Sequence, residues 1–352
     1  MTKDNLFKGV KVEYHILQSF PVSCLNRDDV GAPKTAIVGG VPRARISSQC
    51  WKRQVRMVLH EMKVPIGIRT KKVNKKLLEM AVQDNYKPQD VEQGINDAVN
   101  VIAEDTLLFL SETEIKNLYT YLKDSGFKGD SKKINENEIN KALGAIRKEP
   151  LEALDIALFG RMVAKAATLN IEAASSFNHA ISTHKVVNEI DFFSALDDLS
   201  EEGTQGAAHL GTLEYNSATY YRYVSLDLGQ LYENLGEDKD AVEKAIDVFT
   251  IALFIAVPAA RQHTQSAVSG WDYAKILVRK GQGVQIHFET PVKAEKDGGF
   301  LKPSIQALNK ELEKKEGIFG SLYGKKAEFT FGEDPSYSID KLCSQLQEAC
   351  RV

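Results

Sequence analysis

Several signatures of catalysis and metal binding are missing from this chain. Its four cysteines, Cys24, Cys50, Cys343 and Cys350, form no C-x-x-C pair, and no histidine stands at zinc-ligand spacing from them. That removes the common zinc frameworks and leaves simple thiols of a reducing compartment. Neither GxGxxG nor GxxxxGK[ST] occurs, so the Rossmann and P-loop nucleotide sites are excluded. Only seven histidines are present, and no Ser/His/Asp or Cys/His arrangement can be read among them. Long apolar runs are absent too. The longest nearly apolar stretch, 249–257, is nine residues, too short for a bilayer. The opening MTKDNLFKGV is polar and mixed in charge, unlike a secretion signal. These absences predict a cytoplasmic protein with no cofactor, no metal and no membrane contact.

What is present is ordinary in amount and uneven in distribution. Hydrophobic residues are 43% of the 352, enough for a sizeable core. The length fits two to three domain-sized units, or one core with large insertions. The net charge of −3 conceals a division: residues 1–76 hold sixteen Lys/Arg against five Asp/Glu, or +11, which leaves −14 for the remainder. A basic pole on an acidic chain is the footprint of a phosphate-binding face, and equally of a basic helix in solvent.

Residues 9–18, GVKVEYHILQ, alternate as a strand with one buried side. TAIVGGVPRARI, broken by Gly39-Gly40 and Pro42, reads as an irregular strand pair. Ser47 and Ser48 are N-cap residues for a helix through WKRQVRMVLHEM. From about 60 to 176 the pattern is mostly helical, with a capping box at Ser111–Glu114 and a further helix over Asn137–Lys148. LDIALFGRM reads as β-type, and a short helix is expected over Glu172–His184. The segments flanking EEGTQGAA can pair as a long hairpin. Helices over about 238–256 and 303–315 enclose strand-like KILVRK and VQIHFET; AEFTF and a helix from Ser338 follow. The expected class is α+β with insertions.

The most informative stretch is RARISSQCWKRQVR. Arg45 ends an extended segment, and Ser47, Ser48 and Gln49 open a helix, whose free N–H groups and dipole favour an anion. Lys52 and Arg56, four apart, share a face, with Arg53 beside them. Such a strip can grip successive phosphates without reading a base; a solvated amphipathic helix start has the same spacing. Arg27 and Lys34 extend it along SCLNRDDVGAPK. Asp28-Asp29 is better read as a helix cap or a partner of Arg27 than as a metal pair. Phe192 and Phe193 sit in a stretch, 187–202, with six acids and no Lys or Arg. Either both rings are buried, or one is exposed as a wedge between bases.

At this point the motifs are recognisable together. SCLNRDD, RISSQ with KRxxR, DIALFGRM, HAISTHKV, EIDFFSALDDL, AHLGT, YYRY, QLYENLG, VPAARQ and FLKPSIQALN, in this order, resemble the type I-E CRISPR Cascade backbone subunit, the CasC family. The resemblance implies an RNA-recognition-motif-like palm sheet, an inserted helical fingers domain and a β-hairpin thumb. In this chain those would be palm at 1–58, 178–188 and 220–352, fingers at 59–177 and thumb at 189–219. It implies backbone contact by Arg27, Lys34, Arg45, Ser47, Gln49, Lys52 and Arg56. It places Phe193, with Phe192 and Leu210, on a thumb that displaces a base, and Met162 against that base from the neighbouring side. The implied partners are a CRISPR guide RNA, target DNA through the guide, neighbouring copies of the chain, other Cascade subunits and a recruited helicase-nuclease. No enzyme activity is implied. The rival readings are a CRISPR RNA-processing endoribonuclease using a histidine such as His15 or His179, and a monomeric RNA-binding module. Trp51 and Phe192 depart from the family pattern, which often has a smaller aliphatic residue and Trp at those places.

Overall fold

The computed structural model describes residues 5–102, 106–127, 136–144, 152–163, 165–195 and 209–351. The chain opens with a long strand β1 (Val10–Ser23) and a hairpin β2 (Thr35–Val38) and β3 (Val41–Ile46), turned by Gly39 and Gly40 at positive φ. Helix α1 (Ser48–Glu61) follows. An excursion then runs through β4 (Ile68–Thr70), α2 (Val73–Gln83), α3 (Pro88–Ile102), β5 (Leu108–Leu110), α4 (Glu112–Asp124) and α5 (Glu136–Gly144). The chain returns as α6 (Leu154–Phe159), β6 (Ser175–Phe177), β7 (Ala180–Ser182), β8 (Glu189–Ala195) and β9 (His209–Asp227). The remainder is α7 (Leu228–Asn234), α8 (Lys239–Ile255), α9 (Gln262–Gln265), β10 (Tyr273–Lys280), α10 (Leu301–Phe319), β11 (Lys325–Phe331) and α11 (Ile339–Cys350).

One antiparallel sheet in the order β11-β10-β1-β9-β7-β3-β2 organises the molecule, with β6 and β8 also paired to β9. Its central path runs β1–α1–β6/β7–β9–α8–β10, which returns the last strand to the far side of the first. Val10, Val12, Tyr14 and Ile16 alternate onto one face, where Val55 and Leu59 of α1, Ile246 and Phe249 of α8, and Leu342 and Leu346 of α11 bury them. This face is the main core. The other face is covered as well: Leu17, Tyr221, Tyr223 and Leu277 pack under Leu308 and Leu312 of α10 and under Val284 and Ile286.

Three local expectations are corrected. Leu154–Phe159 is helical, because Leu154, Ala157 and Leu158 reach the main core at helical spacing, which a six-residue segment is too short to disclose. The segment 172–184 is extended: Ser175–Phe177 and Ile181–Ser182 take their ladder bonds from β9, so tertiary pairing overrides local preference. VQIHFET is no strand but a strap across the sheet. Its amides are satisfied by side chains, Val284 N donating to Glu13 Oε1 (2.7 Å) and Ile286 N to Tyr221 Oη (3.2 Å). The expected hairpin is present as β8–β9, Glu189 opposite Tyr215 through Ala195 opposite His209; its tip lies outside the described residues, as do 145–148 of the expected helix.

The excursion has its own core, built on Leu77, Ile95, Leu110, Ile115 and Leu118 and reaching to Leu169. The capping box is present, Ser111 Oγ accepting from Glu114 N and Glu114 accepting from Ser111 N. Within the 59–177 span, α6 and Phe177 pack on the main core rather than on this second one.

Candidate nucleic-acid interface

The basic strip is assembled by backbone pairing before any side chain is considered. Lys34 N donates to Asn26 O and Arg45 N to Lys34 O, each at 2.8 Å, which lays the 24–34 loop against β3. The Asn26 Oδ1 accepts from Ser47 N (2.9 Å), tying that loop to the start of α1. Ser47 is the N-cap, its hydroxyl accepting from Cys50 N, and no acid occupies the first turn of α1. The positive end of the helix is therefore left for an external anion. The Asp28 Oδ1 accepts from Val30 N and Ala32 N, so it caps a turn of the 24–34 loop and not a helix.

Around this helix start the cations outnumber the acids, of which Asp28 and Asp29 follow Arg27. Arg27, Arg53 and Gln49 are exposed; Lys34, Arg45 and Lys52 are half-buried. Among the described residues none of these five cations has an ion-pair partner, and Arg45 Nε donates only to Thr35 O. The Lys52 ammonium lies 5.6 Å from the Phe177 ring centroid and 6.0 Å from that of Phe159. Burial there pushes its pKa below the ordinary lysine value. An open cleft of about 470 Å³ runs between Asn26, Ser47, Gln49 and Arg53 on one side and Ala259 and Ala260 on the other.

Arg56 is placed differently. Its Nε donates to Asp155 Oδ2 (2.7 Å) and its Nη2 to Gly67 O (2.6 Å), while Gly67 N donates to the other Asp155 oxygen (2.7 Å). Asp155 is fully buried. Arg56 thus joins α1 to α6 and to the entry of the excursion. The larger groove beside it, about 1160 Å³, sets Arg56, Lys63 and Arg69 against Glu61, Glu112 and Glu152, so its charge does not select a polyanion.

The aromatic pair lies on β8, on opposite faces. Phe192 is 78% exposed and shares a face with Ile190, also exposed; Phe193 is 40% exposed. The Phe193 ring lies across its partner Gly211, so close that a Cβ there would stand 2.3 Å from it. Glu189 and Asp191 are on the Phe193 face, whereas Glu214 is on the Phe192 face. The Leu210 side chain lies outside the described residues. Met162 is 82% exposed, and the reason is its neighbour: Arg161 turns inward, donating to both Glu114 oxygens (2.7 Å each) and to Leu169 O (2.8 Å).

Residues 12–348 match the family described as CT1975-like protein (Cas_CT1975). The chain belongs to the CT1975-like protein family. No curated protein matches it. Among solved structures, a chain of a "CRISPR RNA-guided surveillance complex, pre-nicking" is similar with a TM-score of 0.84 and 23% identity, over 97% of this chain and 100% of that one. A chain of a "CRISPR RNA-guided surveillance complex" is similar with a TM-score of 0.63 and 22% identity, again over 97% and 100%. The family and the fold both agree with the motif resemblance to a CRISPR surveillance-complex subunit.

In this CT1975-like protein the structure adds residues that spacing did not single out. Asn26 is the hinge of the cation cluster, and only its place inside SCLNRDD pointed to it. His179, weighed on sequence only as a catalytic candidate, is exposed beside Arg45 and Lys34, whose charges, after burial, hold its pKa below the ordinary value. Trp51 is buried with the Arg222 guanidinium 3.5 Å above its ring, which explains an indole at that place. His15 is fully buried, its Nδ1 2.9 Å from Tyr221 Oη, and burial with the Arg279 charge pushes it down to about 3. A neutral, enclosed imidazole of this kind cannot reach a phosphodiester. Among the described residues no three His, Cys, Asp or Glu gather as metal ligands, and no helix is long and apolar enough to cross a membrane.

Proposed function

We propose that this chain is a backbone subunit of a CRISPR RNA-guided surveillance complex, several copies of which hold one guide RNA by its phosphates and present its bases in segments for pairing with target DNA. The observation that carries this reading is the cluster of unpaired cations, Arg27, Lys34, Arg45, Lys52 and Arg53, around the Ser47-capped start of α1. The matched family and the shared fold with chains of such complexes support it. The β10–β1–β9–β6/β7 sheet with α1 and α8 on one face corresponds to an RNA-recognition-motif-like palm, the excursion to fingers and β8–β9 to a thumb. A free-standing RNA-recognition motif stacks bases on the open face of its sheet. Here α10 and the 284–288 strap cover that face, which favours gripping the backbone at the sheet edge over a monomeric base-stacking module. Arg56 serves this grip indirectly, by holding α1 against α6.

The test is gel filtration of the protein with and without a CRISPR guide RNA, followed by denaturing analysis of the RNA with and without Mg²⁺. Several copies per RNA and intact RNA are expected. A single copy per RNA selects the monomeric module, and cleavage abolished by changing His179 selects the endoribonuclease.

A further inference from the structure

We propose that His179 is part of the RNA grip itself, donating a hydrogen bond to a backbone phosphate and taking up a proton when RNA binds. The proposal rests on the phosphate-gripping role argued above and adds a residue and a pH dependence to it. The pairing register supplies the geometry. Arg45 lies opposite Ile181 and Ile46 opposite Ala180, the last pair of the ladder at the end where β3 leads into Ser47 and α1, and His179 directly precedes Ala180. The residue before it is locked: Asn178 N donates to Tyr223 O (3.1 Å) and its Oδ1 accepts from Tyr223 N (2.8 Å). His179 therefore projects from a rigid edge beside the N-cap of α1. It is exposed, and no hydrogen bond of its ring to a described residue is formed.

The charges that act on the imidazole are both positive, Arg45 on β3 and Lys34 on the 24–34 loop. The Lys52 ammonium stands over the Phe177 ring two residues away. An imidazole set among cations, with no carboxylate acting on it, is suited to an anionic ligand rather than to an internal ion pair. The sign follows. In the free protein burial and the two cations favour the neutral ring. A phosphate between the same groups reverses that field and raises the pKa. Over the interval between the two pKa values the bound state holds the extra proton, so affinity rises as pH falls and levels off below the lower value. Each unit of separation is worth about tenfold in affinity.

The test measures binding of the full chain to an unstructured RNA oligonucleotide at constant ionic strength from pH 8 to pH 5.5, with proton uptake read by calorimetry in two buffers of different ionisation enthalpy. Wild type is expected to bind up to about tenfold tighter at the acid end. His179→Gln should lose that part of the pH dependence and the matching proton uptake while keeping its fold by circular dichroism. His179→Arg should bind tightly at both ends. The other six histidines are the same in all three proteins. Equal pH slopes and equal proton uptake in wild type and His179→Gln would overturn the proposal and leave the phosphate grip standing. Failure of the wild type to bind RNA at any pH would overturn both.

Discussion

The cation cluster and the β8–β9 hairpin are built on opposite principles. The cluster is held from every side: by β3 pairing with β7, by Asn26 bonded to Ser47, and by Arg56 and Asp155 locking α1 to α6. Its five cations come from three stretches of chain, the 24–34 loop, β3 and α1, which pack together through Leu25, Ala44, Ile46 and Trp51. The hairpin depends on its own ladder. Over Glu189–Ala195 β8 pairs only with β9, and its large side chains, Ile190 and Phe192, face outward. The proposed grip on regularly spaced phosphates calls for rigidity, whereas the β8–β9 hairpin can be altered without disturbing the core. The difference implies that changes around the cluster couple RNA binding to stability, and changes on the hairpin do not.

The largest effect should come from Arg56→Ala. It leaves the buried Asp155 carboxylate with the Gly67 and Ile156 amides and no counter-charge, and breaking a buried pair costs about 3–5 kcal/mol. Burial already pushes the Asp155 pKa up against the lowering hydrogen bonds from Gly67 and Arg56. Removing Arg56 raises it further, so the deficit is greatest above that pKa and shrinks as pH falls and the carboxyl takes up a proton. Denaturant unfolding at pH 7.5 and pH 5 measures both; a variant equally stable to wild type at pH 7.5 would deny α1 its anchor.

Next in size is the hairpin. If a ring stacks on a base, its removal costs about 1–3 kcal/mol of RNA binding with unfolding unchanged. Phe193→Ala and Phe192→Ala, compared by RNA titration, decide which face is used. Gly211→Ala sharpens the result, because its methyl displaces the Phe193 ring and should copy Phe193→Ala in part. Loss of stability in all three would break the distinction between the two regions.

Lys34→Ala with Arg45→Ala should weaken binding equally for unrelated RNA sequences. It should also flatten the log–log salt dependence by roughly 0.7 per lost contact to a single strand. Affinity measured between 50 mM and 200 mM salt checks this, and an unchanged slope would remove both residues from the grip. The smallest effect is expected for Ser47→Ala, about 1 kcal/mol of stability from the lost cap, visible as a shifted urea midpoint.

Some of this was legible along the chain and some was not. Ser47 as the cap, the capping box at Ser111 and Glu114, β1 as far as Gln18 and the hairpin pairing of 189–195 with 209–215 are local patterns, and each appears where its pattern put it; β1 runs on to Ser23, through residues expected to turn, because β9 pairs with it there. The basic pole was legible as composition. The same reading treated Lys52 and Arg56 as equivalents, since a four-residue spacing states that two side chains share a helix face. What stands opposite that face is decided by chain far away: Phe159 and Phe177 under Lys52, Asp155 and Gly67 against Arg56. Phe192 and Phe193 were open between burial and exposure for the same reason, because strand alternation separates their faces without saying what covers either. The six-residue α6, the extended 172–184 segment and the 284–288 strap depart from the local pattern because their partners are distant in sequence: the main core for α6, β9 for 172–184, and Glu13 and Tyr221 for the strap. Short-range periodicity and capping thus came from the sequence alone, since their partners lie within a turn of helix or a pair of strands. Which cations remain free for a phosphate was decided only by the tertiary structure, because a charge is free or spent according to the neighbours that folding brings to it.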